Sequence, residues 1–529
     1  MVSPLQFQPF LARPPAAYAS PPPSSLQSPR STTQTMPASR LRIVHNNDTH
    51  EHWPNMPKSV TAFNALASQG QQAGFDVLRL NSGDNNTFNE PDEWVLSILL
   101  NNLLHLDATT FGNHELDLNV NDLAQGLRNY AKYPSLVANL AISPNHPLAQ
   151  LEQAGLLKPS VHLIRGQQGT YGLIGITRPS ETAKISKSVK QSGVQSIPFS
   201  HTRQMVQAMV DDLERHGVNR IVLLSHMGYN LDRKLAQQVS GIDVIVGGDS
   251  HDAIQGIVPG QNLLTSPRGE PVLIVQAGWN GEYVGTADVG FDAAGRLLPL
   301  QSQLHPTSAF QDDVQADALL KQFLPPQQAL AYMAQPVGVS SIKYRPNPLA
   351  QLLADSARNI SGSDISFIRP SQVRKDIPVG TLTNWTLKEM MPYGGEFVTI
   401  TASGSEIAGA LARSAQGLGS VSGKKAELLH PAGLRLVIDV NKGQMRNIQV
   451  YNRQLQRWEP LDPNRQYTVT IDDYTVKQSD EFPEFAHPDR IMWQSHRSLR
   501  GIFMYALRQM GAPYQSIVIP PTDSRLQLV

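Results

Sequence analysis

Residues 111–117 read FGNHELD, and this segment decides where the chemistry of the chain lies. It places an amide, an imidazole and two carboxylates within one turn, on Asn113, His114, Glu115 and Asp117. The run before it, residues 107–111, is typical of a short buried strand. Ligand sites of α/β proteins lie outside the carboxyl ends of parallel strands, so the position of the segment predicts a functional site.

Four further strand-like runs are also followed at once by Asp, Asn or His. These runs are residues 42–45, 77–80, 221–224 and 244–246. The polar residues that follow them are Asn47, Asp48, His50, Asp84, His226, Asp249 and His251. Helix-like segments alternate with the strands, as in a layered α/β domain. We therefore expect all five strand ends to meet at one place.

The length of the chain and the positions of its proline-rich segments predict two folded domains. Residues 1–40 are rich in Pro, Ser, Ala and Gln, which predicts a disordered tail. A first α/β domain is predicted over residues 41–310, and a mostly helical connector, broken by Pro325 and Pro326, over residues 311–335. A second α/β domain is predicted over residues 336–529. Its expected helices are residues 348–358, 404–416 and 496–510.

Composition narrows the possible partners and metal ligands. Lys plus Arg equals Asp plus Glu at 44 each, so net charge favours neither nucleic acid nor an anionic membrane as a partner. The chain has no cysteine, which leaves His, Asp, Asn and Glu for any metal. The most apolar helix candidate, residues 94–106, is too short to cross a bilayer. Without a recognisable signal peptide we expect a soluble cytoplasmic protein, with a periplasmic or secreted location as the alternative.

The residues at the strand ends form a ligand set for two divalent ions. Two ions a few ångströms apart need about eight ligands, one of them shared, and without thiolates these are carboxylates, imidazoles and amides. Asp48 and His50 can point into one site, and Asp84 can bridge. Gly247 and Gly248 let the backbone approach closely. The remaining candidate ligands are Asn113, His226, Asp249 and His251.

The order DTH, GD, GNHELD, SHMG and GGDSH resembles the calcineurin-like metallophosphoesterases, and more narrowly the 5′-nucleotidase and UDP-sugar hydrolase family. The resemblance implies a layered metallophosphoesterase β-sandwich flanked by helices, followed by a second α/β domain that confers substrate specificity. It implies that one ion binds to Asp48, His50, Asp84 and His251. It implies that the other ion binds to Asp84, Asn113, His226 and Asp249. His114 and Asp117 are then the catalytic pair.

Together with these residues, the resemblance implies a metal-dependent phosphoric monoester hydrolase that acts on a nucleotide or a related phosphorylated small molecule. Two cations lower the pKa of a shared water, so that a bridging hydroxide attacks phosphorus. His114 relieves charge on the leaving oxygen, and Asp117 fixes the orientation of the imidazole. Two alternatives stay open: hydrolysis of another ester (a cyclic nucleotide, a UDP-sugar or a sulfur ester), and a non-catalytic ligand-binding protein. Retention of the catalytic pair argues against the second.

One residue departs from the family pattern at the centre. The fifth motif of the family usually carries an imidazole where this chain has Asp249. A third anionic ligand is expected to make the bound water less acidic and to favour a harder ion. Two divalent ions, manganese or zinc, are expected, and Asp249 shifts the preference from zinc towards manganese.

Three residues of the second domain are candidates for substrate binding. A family loop of the Asn-Gly-Gly-Gly-Ile-Arg type appears here as residues 369–374, and Arg369 and Arg374 are predicted to pair with phosphate or carboxylate. Of the two aromatic positions that usually sandwich the base, one holds Leu428 and the other corresponds to Phe482. Phe482 is predicted either to stack on a base, a contact worth about 1–3 kcal/mol, or to pack in the core.

Overall fold

The computed structural model describes residues 37–50, 52–85, 91–116, 120–158, 162–182, 189–190, 192–419, 427–477 and 481–529. Residues Pro37–Val529 form one compact unit. The predicted tail lies outside the described residues except for its last four, and the first strand already begins at Ser39. Asp117 and residues 478–480 also lie outside the described residues.

Strands and helices alternate along residues 39–306, as their hydrophobic pattern predicts. The strands are β1 (Ser39–Asn46), β2 (Asp76–Asn81), β3 (Ala108–Thr109), β4 (Ser135–Leu136), β5 (Leu140–Ile142), β6 (Leu157–Lys158), β7 (His162–Arg165), β8 (Thr170–Ile176), β9 (Val194–Ser196), β10 (Ile221–Ser225), β11 (Val244–Val246), β12 (Leu263–Thr265), β13 (Pro271–Val275), β14 (Tyr283–Phe291) and β15 (Leu297–Pro306). The helices are α1 (Met56–Gln72), α2 (Pro91–Leu103), α3 (Val120–Tyr130), α4 (Pro147–Gln153), α5 (Phe199–Arg215) and α6 (Tyr229–Ala236).

Two sheets pack face to face in this part of the chain. The first has the strand order β15-β14-β1-β2-β3-β4-β6, and the second has the order β12-β13-β11-β10-β8-β7. Successive side chains of a strand point to opposite faces. Ile43 of β1 and Leu224 of β10 therefore lie in the core between the sheets. Val44 instead packs on the helix layer of the first sheet, and Leu223 on that of the second.

A second set of elements follows along residues 314–528. Its strands are β16 (Ala329–Met333), β17 (Ile365–Ile368), β18 (Gly380–Thr383), β19 (Glu396–Ser403), β20 (His430–Ala432), β21 (Leu434–Asp439), β22 (Gln444–Asn452), β23 (Arg457–Pro460), β24 (Gln466–Asp472), β25 (Ile491–Ser498), β26 (Ser516–Ile517) and β27 (Leu526–Leu528). Its helices are α7 (Val314–Phe323), α8 (Pro348–Ser361), α9 (Asn384–Met390), α10 (Gly404–Gly419), α11 (Asp473–Lys477) and α12 (Leu499–Gln509).

These strands form sheets of five, four and three strands, in the orders β20-β17-β24-β19-β25, β23-β22-β21-β27 and β18-β16-β26. Local capping sets the ends of the helices. Asn347 accepts a hydrogen bond from the backbone of Leu349 at the start of α8, and Gly362 ends the helix in the left-handed conformation. The mixed α/β fold class predicted from the sequence is confirmed.

The predicted connector is partly wrong. Residues 314–323 are helical as expected, but residues 329–333 form β16, which pairs with β18 and β26. The two prolines therefore end a helix and precede a strand, and that strand is held by partners far away in sequence. Among the described residues, none of the helices combines the length and the apolar character that a bilayer crossing requires.

Candidate metal centre

The strands that carry the candidate ligands end at a common edge. In the first sheet β1, β2 and β3 are parallel neighbours, and in the second sheet β10 and β11 are parallel neighbours. A hydrogen bond joins the two sheets there, since the hydroxyl of Ser82 donates to the carbonyl of Val246 over 2.7 Å. Polar residues that follow strands of both sheets therefore face one another.

The backbone of the candidate ligands is held in an uncommon conformation. Asp48, His50, Asp84, Asp249 and His251 have φ values of 50°, 46°, 53°, 76° and 60°. Non-glycine residues rarely adopt this left-handed region, which costs about 1–3 kcal/mol per residue. Such conformations persist where the surrounding structure fixes them, and they concentrate at functional sites. Five of them around one edge therefore indicate a site rather than ordinary loops.

Two glycines allow the loops to approach one another. A Cβ atom at Gly112 would lie 2.0 Å from Oδ1 of Asp84, and one at Gly248 would lie 2.7 Å from Nδ1 of His226. Any side chain at either position would push a candidate ligand out of place. The glycines of the FGNHELD and GGDSH segments are thus required by the packing of this centre.

One group of candidate ligand atoms lies around Asp48. The Nε2 atoms of His50 and His251 are 3.0 Å apart, and they lie 3.6 and 3.5 Å from Oδ1 of Asp48. Burial lowers the pKa of both imidazoles, to about 4 for His251. Neutral imidazoles and a carboxylate around one point form a donor set suited to a divalent cation.

A second group lies around Asp84. His226 Nε2 lies 3.0 Å from Oδ2 of Asp84 and 3.8 Å from Oδ1 of Asp48. The other ring nitrogen, Nδ1, donates to the carbonyl of Ser82 over 2.5 Å, which fixes the ring with Nε2 towards the carboxylates. Burial lowers the pKa of His226, but the carboxylates of Asp84 and Asp48 outweigh it, and the pKa lies well above its usual value. The carboxylates of Asp84 and Asp48 therefore favour a positive charge beside them.

One buried atom of this centre fits an ion directly. Oδ1 of Asn113 is buried and has no hydrogen-bonding partner among the described residues. A buried polar atom without a partner is costly, and a bound cation would satisfy it. In addition, three overlapping groups have ligand atoms within 4.8 Å of one another: Asp48, His50 and His251; His50, Asp84 and His114; and Asp48, Asp84 and His226.

Two supporting residues were given no role by the sequence reasoning. Glu115 accepts hydrogen bonds from the backbone N–H groups of Asp84, Asn85 and Gly112 over 3.0, 2.8 and 2.7 Å. Asn47 donates to Oδ2 of Asp48 over 2.6 Å. Both residues orient groups of the centre through hydrogen bonds. The sequence feature that could have identified them is their position directly beside Asp48 and His114 in the motifs.

His114 lies at the centre beside Asp84. Its backbone N–H donates to Oδ1 of Asp84 over 2.9 Å, and its Nε2 lies 3.9 Å from Oδ2. The ring contacts that of His50 edge to face, with centroids 5.2 Å apart. Its predicted partner Asp117 lies outside the described residues.

Asp249 lies next to these groups and has a cationic partner. Its backbone N–H donates to Oδ2 of Asp48 over 2.9 Å, and its Oδ1 lies 4.0 Å from Nε2 of His226. The same Oδ1 lies 3.1 Å from Nη1 of Arg178. The negative charge of Asp249 is therefore balanced by Arg178, a residue to which the sequence pattern gave no role.

The three candidate substrate residues have different surroundings. Arg374 donates to the hydroxyl of Tyr393 over 3.2 Å, and its positive charge adds to the effect of burial in lowering the pKa of His50 and His251. Arg369 is 6% exposed and pairs with Glu481 over 2.5 Å. Arg369 was predicted to pair with a phosphate or carboxylate of the substrate, but its partner here is the carboxylate of Glu481.

The stacking role predicted for Phe482 is wrong in this structure. Its side chain is fully buried and belongs to the core formed with Phe367, Phe485 and Leu428. A ring enclosed by core side chains presents no face to a base. Phe482 is therefore the core phenylalanine of the two alternatives that the sequence left open.

Lys375, in a loop of the second set of elements, lies beside residues that border the centre. Its Nζ lies 2.7 Å from Nδ1 of His52 and 3.4 Å from Oε2 of Glu389. It also lies 5.8 Å from the ring centroid of Trp279, whose ring stacks on His251 with centroids 4.8 Å apart. Arg374 and Lys375 thus bring positive charge from the second set of elements to the edge of the centre.

Comparison with known proteins gives two matching families. The calcineurin-like phosphoesterase family matches residues 41–253, and the 5′-nucleotidase C-terminal domain matches residues 330–487. A 5′-nucleotidase of Mus musculus is 27% identical, with 72% of this chain and 70% of that protein covered. A probable 5′-nucleotidase of Treponema pallidum is 25% identical, with 84% of this chain and 87% of that protein covered.

A solved structure has the same fold. The 5′-nucleotidase precursor from Thermus thermophilus superposes with a TM-score of 0.74 at 24% identity, and 93% of this chain and 99% of that chain are covered. Calcineurin-like metallophosphoesterases use divalent metals, which agrees with the candidate ligand groups described above. The chain therefore belongs to the calcineurin-like metallophosphoesterases that carry a 5′-nucleotidase C-terminal domain, a family of phosphoric monoester hydrolases.

Proposed function

We propose that this protein is a two-metal phosphoesterase that hydrolyses a nucleotide or a related phosphorylated small molecule. One observation carries the proposal: two carboxylates and four imidazoles from five strand ends have ligand atoms within 4.8 Å of one another in overlapping groups. Such a cluster of carboxylates and imidazoles suits two divalent cations that share a ligand.

Each ion is assigned its own set of ligands. Asp48, His50, Asp84 and His251 hold one ion, and Asp84, Asn113, His226 and Asp249 hold the other. Asp84 is the shared ligand because it lies against both groups, 3.0 Å from His226 and within the group that contains His50. When bound, the two ions supply Lewis acidity at a phosphoryl oxygen and an activated water.

His114 is the residue assigned to the leaving group. Its ring lies within the group of ligand atoms formed with His50 and Asp84, and its backbone is fixed by Asp84. An imidazole in this position can stabilise or protonate a departing alkoxide. Asp117, three residues further on, is proposed to orient this imidazole.

The substrate class follows from the relatives and from one arginine. The relatives named above are nucleotidases, and a further relative, from Bacillus subtilis, is named a trifunctional nucleotide phosphoesterase. Arg374 is a cation of the second set of elements whose charge acts on the imidazoles of His50 and His251. A guanidinium there can pair with a phosphate oxygen. The division into domains at residues 310 and 335, and a cytoplasmic location, stay predictions.

The decisive experiment is hydrolysis of a panel of esters by the purified protein, stripped of metal and then loaded with manganese or zinc. The panel contains a nucleoside 5′-monophosphate, a cyclic nucleotide, a UDP-sugar and nitrophenyl phosphate. We expect metal-dependent release of phosphate from the monophosphate with the highest kcat/KM. The variant Asp84→Ala should release none. No turnover of any ester with either metal would overturn the proposal, and preference for another ester would replace the substrate class.

A further inference from the structure

Arg178 contributes a guanidinium to the edge of the metal centre. It follows β8, which is the parallel neighbour of β10, so Arg178 and His226 emerge from the same edge of the sheet. Its Nη1 lies 3.1 Å from Oδ1 of Asp249, and the two side chains are 24% and 13% exposed. An ion pair with this little solvent is screened far less than a surface pair.

Asp249 lies near His226, another proposed ligand of the second ion, as well as Arg178. The same Oδ1 that contacts Arg178 lies 4.0 Å from Nε2 of His226. Oδ2 lies on the side of Gly228, where a Cβ atom would be 2.9 Å away. The carboxylate oxygen nearest to His226 is therefore also the one that Arg178 contacts.

We infer that Arg178 is a positioning residue that sets the affinity of the second metal position through Asp249. The inference rests on the two-ion arrangement proposed above. A guanidinium shares the negative charge of the carboxylate and occupies an oxygen that would otherwise bind only the ion. A neighbouring fixed charge changes how strongly a ligand set holds a cation. Arg178 therefore keeps the second position weaker than the same ligands would make it without the arginine.

A titration of metal-stripped protein with Mn²⁺ tests this inference without any substrate. Free Mn²⁺ is followed by its electron paramagnetic resonance signal, which gives the affinity of each binding step. We expect Arg178→Gln to tighten the weaker step by about tenfold, because a cation that competes with the ion for the Asp249 carboxylate is removed from a partly buried site. Asp249→Asn should weaken that step by about 10- to 100-fold. Arg178→Lys, which keeps the cation, should stay within about threefold of the wild type.

The double variant shows whether Arg178 acts through Asp249. When Asp249→Asn is already present, adding Arg178→Gln should change the weaker step by less than about threefold, because the carboxylate it modulates is gone. Arg178→Met, of similar length, repeats the test in case Arg178→Gln fails to fold. The matched control is Arg268→Gln, which removes an arginine paired with Glu214 over 2.8 Å at the opposite edge of the same sheet. That control should leave both steps unchanged.

Three outcomes would overturn the inference. One is a weaker step that loosens or stays the same in both Arg178→Gln and Arg178→Met. Another is an effect of Arg178→Gln that is equally large with and without Asp249→Asn, which would mark direct repulsion of the ion. The third is a single binding step in the wild type, which would also contradict the two-ion arrangement. Absence of phosphatase activity alone would contradict the proposed function and leave the titration unaffected.

Discussion

The loops at the metal centre differ from the loop around Arg369 and Phe482 in whether their buried groups have partners within the protein. At the centre, Oδ1 of Asn113 is buried and has no hydrogen-bonding partner among the described residues, and the backbone of Asp48 and Asp84 is held in the left-handed region. In the second loop, Arg369 is paired with Glu481, and Phe482 is enclosed by the core. Unsatisfied buried groups in a fixed backbone indicate a missing ligand. Charged groups that are paired within the protein, and rings that are enclosed by the core, indicate a structural role.

This difference separates residues of the same chemical type. Arg374 and Arg369 are five positions apart, yet the charge of Arg374 acts on His251, whereas Arg369 lies between Glu481 and Asp472, 2.5 and 3.8 Å from their carboxylates. Burial acts to lower the pKa of Arg369, but the charges of Asp472 and Glu481 outweigh it. A guanidinium balanced in this way has little remaining attraction for a substrate phosphate.

The largest effect is expected for Asp84→Ala. Asp84 lies against ligand atoms of both groups, so its removal should release both ions and reduce hydrolysis to background. Elemental analysis after loading and dialysis measures the metal content directly. Asp107→Asn is the matched control, since Asp107 is an acidic residue that accepts a hydrogen bond from the backbone of Arg79 over 2.8 Å and is not part of the ligand groups. Two retained ions in Asp84→Ala would show that this carboxylate does not bridge.

A smaller loss is expected for His114→Ala, which should keep its metals and lose about 10²- to 10⁴-fold in kcat, the usual range for a positioned acid or base. The loss should depend on the leaving group. Ribose alkoxide leaves poorly and needs a donor, whereas nitrophenolate leaves readily. We therefore expect a larger loss with a nucleoside monophosphate than with nitrophenyl phosphate. Equal losses with both substrates, at unchanged metal content, would assign His114 to substrate positioning.

The centre was predictable from the sequence because each part of it is local. A buried strand shows in a short apolar run, and its polar end shows in the residues that follow, so Asp48, Asp84 and His226 could be found at three strand ends. The family and the fold class are confirmed, because they depend on the order of such local features. The assigned roles of these residues, and of Asp117, stay predictions.

The features that the sequence did not predict depend on contacts between residues far apart in the chain. A local sequence pattern contains no information on such contacts. Arg178 and Asp249 meet because β8 and β10 are parallel neighbours. The sequence around either residue contains no pattern that predicts this contact. The strand at residues 329–333 was expected to be helical, since its partners β18 and β26 lie far away in sequence. For Phe482 the sequence left two alternatives, and tertiary packing decides between them.

A moderate effect is expected for Arg374→Gln. If this guanidinium binds the substrate phosphate, KM should rise by about 10- to 100-fold for both a nucleoside monophosphate and nitrophenyl phosphate, because a charged hydrogen bond is worth about 1.5–3 kcal/mol. Arg413→Gln is the control, because it removes an exposed arginine paired with Glu484. Steady-state kinetics at saturating metal measures KM. An unchanged KM for both substrates would place Arg374 outside the substrate site.

The smallest effect on catalysis is expected for Phe482→Ala. The ring is fully buried with Phe367 and Phe485, so truncation should lower the free energy of unfolding by about 3–5 kcal/mol through lost burial and a cavity. The ratio of KM values for a nucleoside monophosphate and nitrophenyl phosphate should stay at the wild-type value, because no substrate contact is lost. Denaturant unfolding and steady-state kinetics below the unfolding transition measure the two quantities. Phe485→Ala, a truncation at an equally buried ring, should behave in the same way. A higher KM for the nucleotide alone, in Phe482→Ala but not in Phe485→Ala, would show that Phe482 contacts the base and that its loop opens to admit substrate.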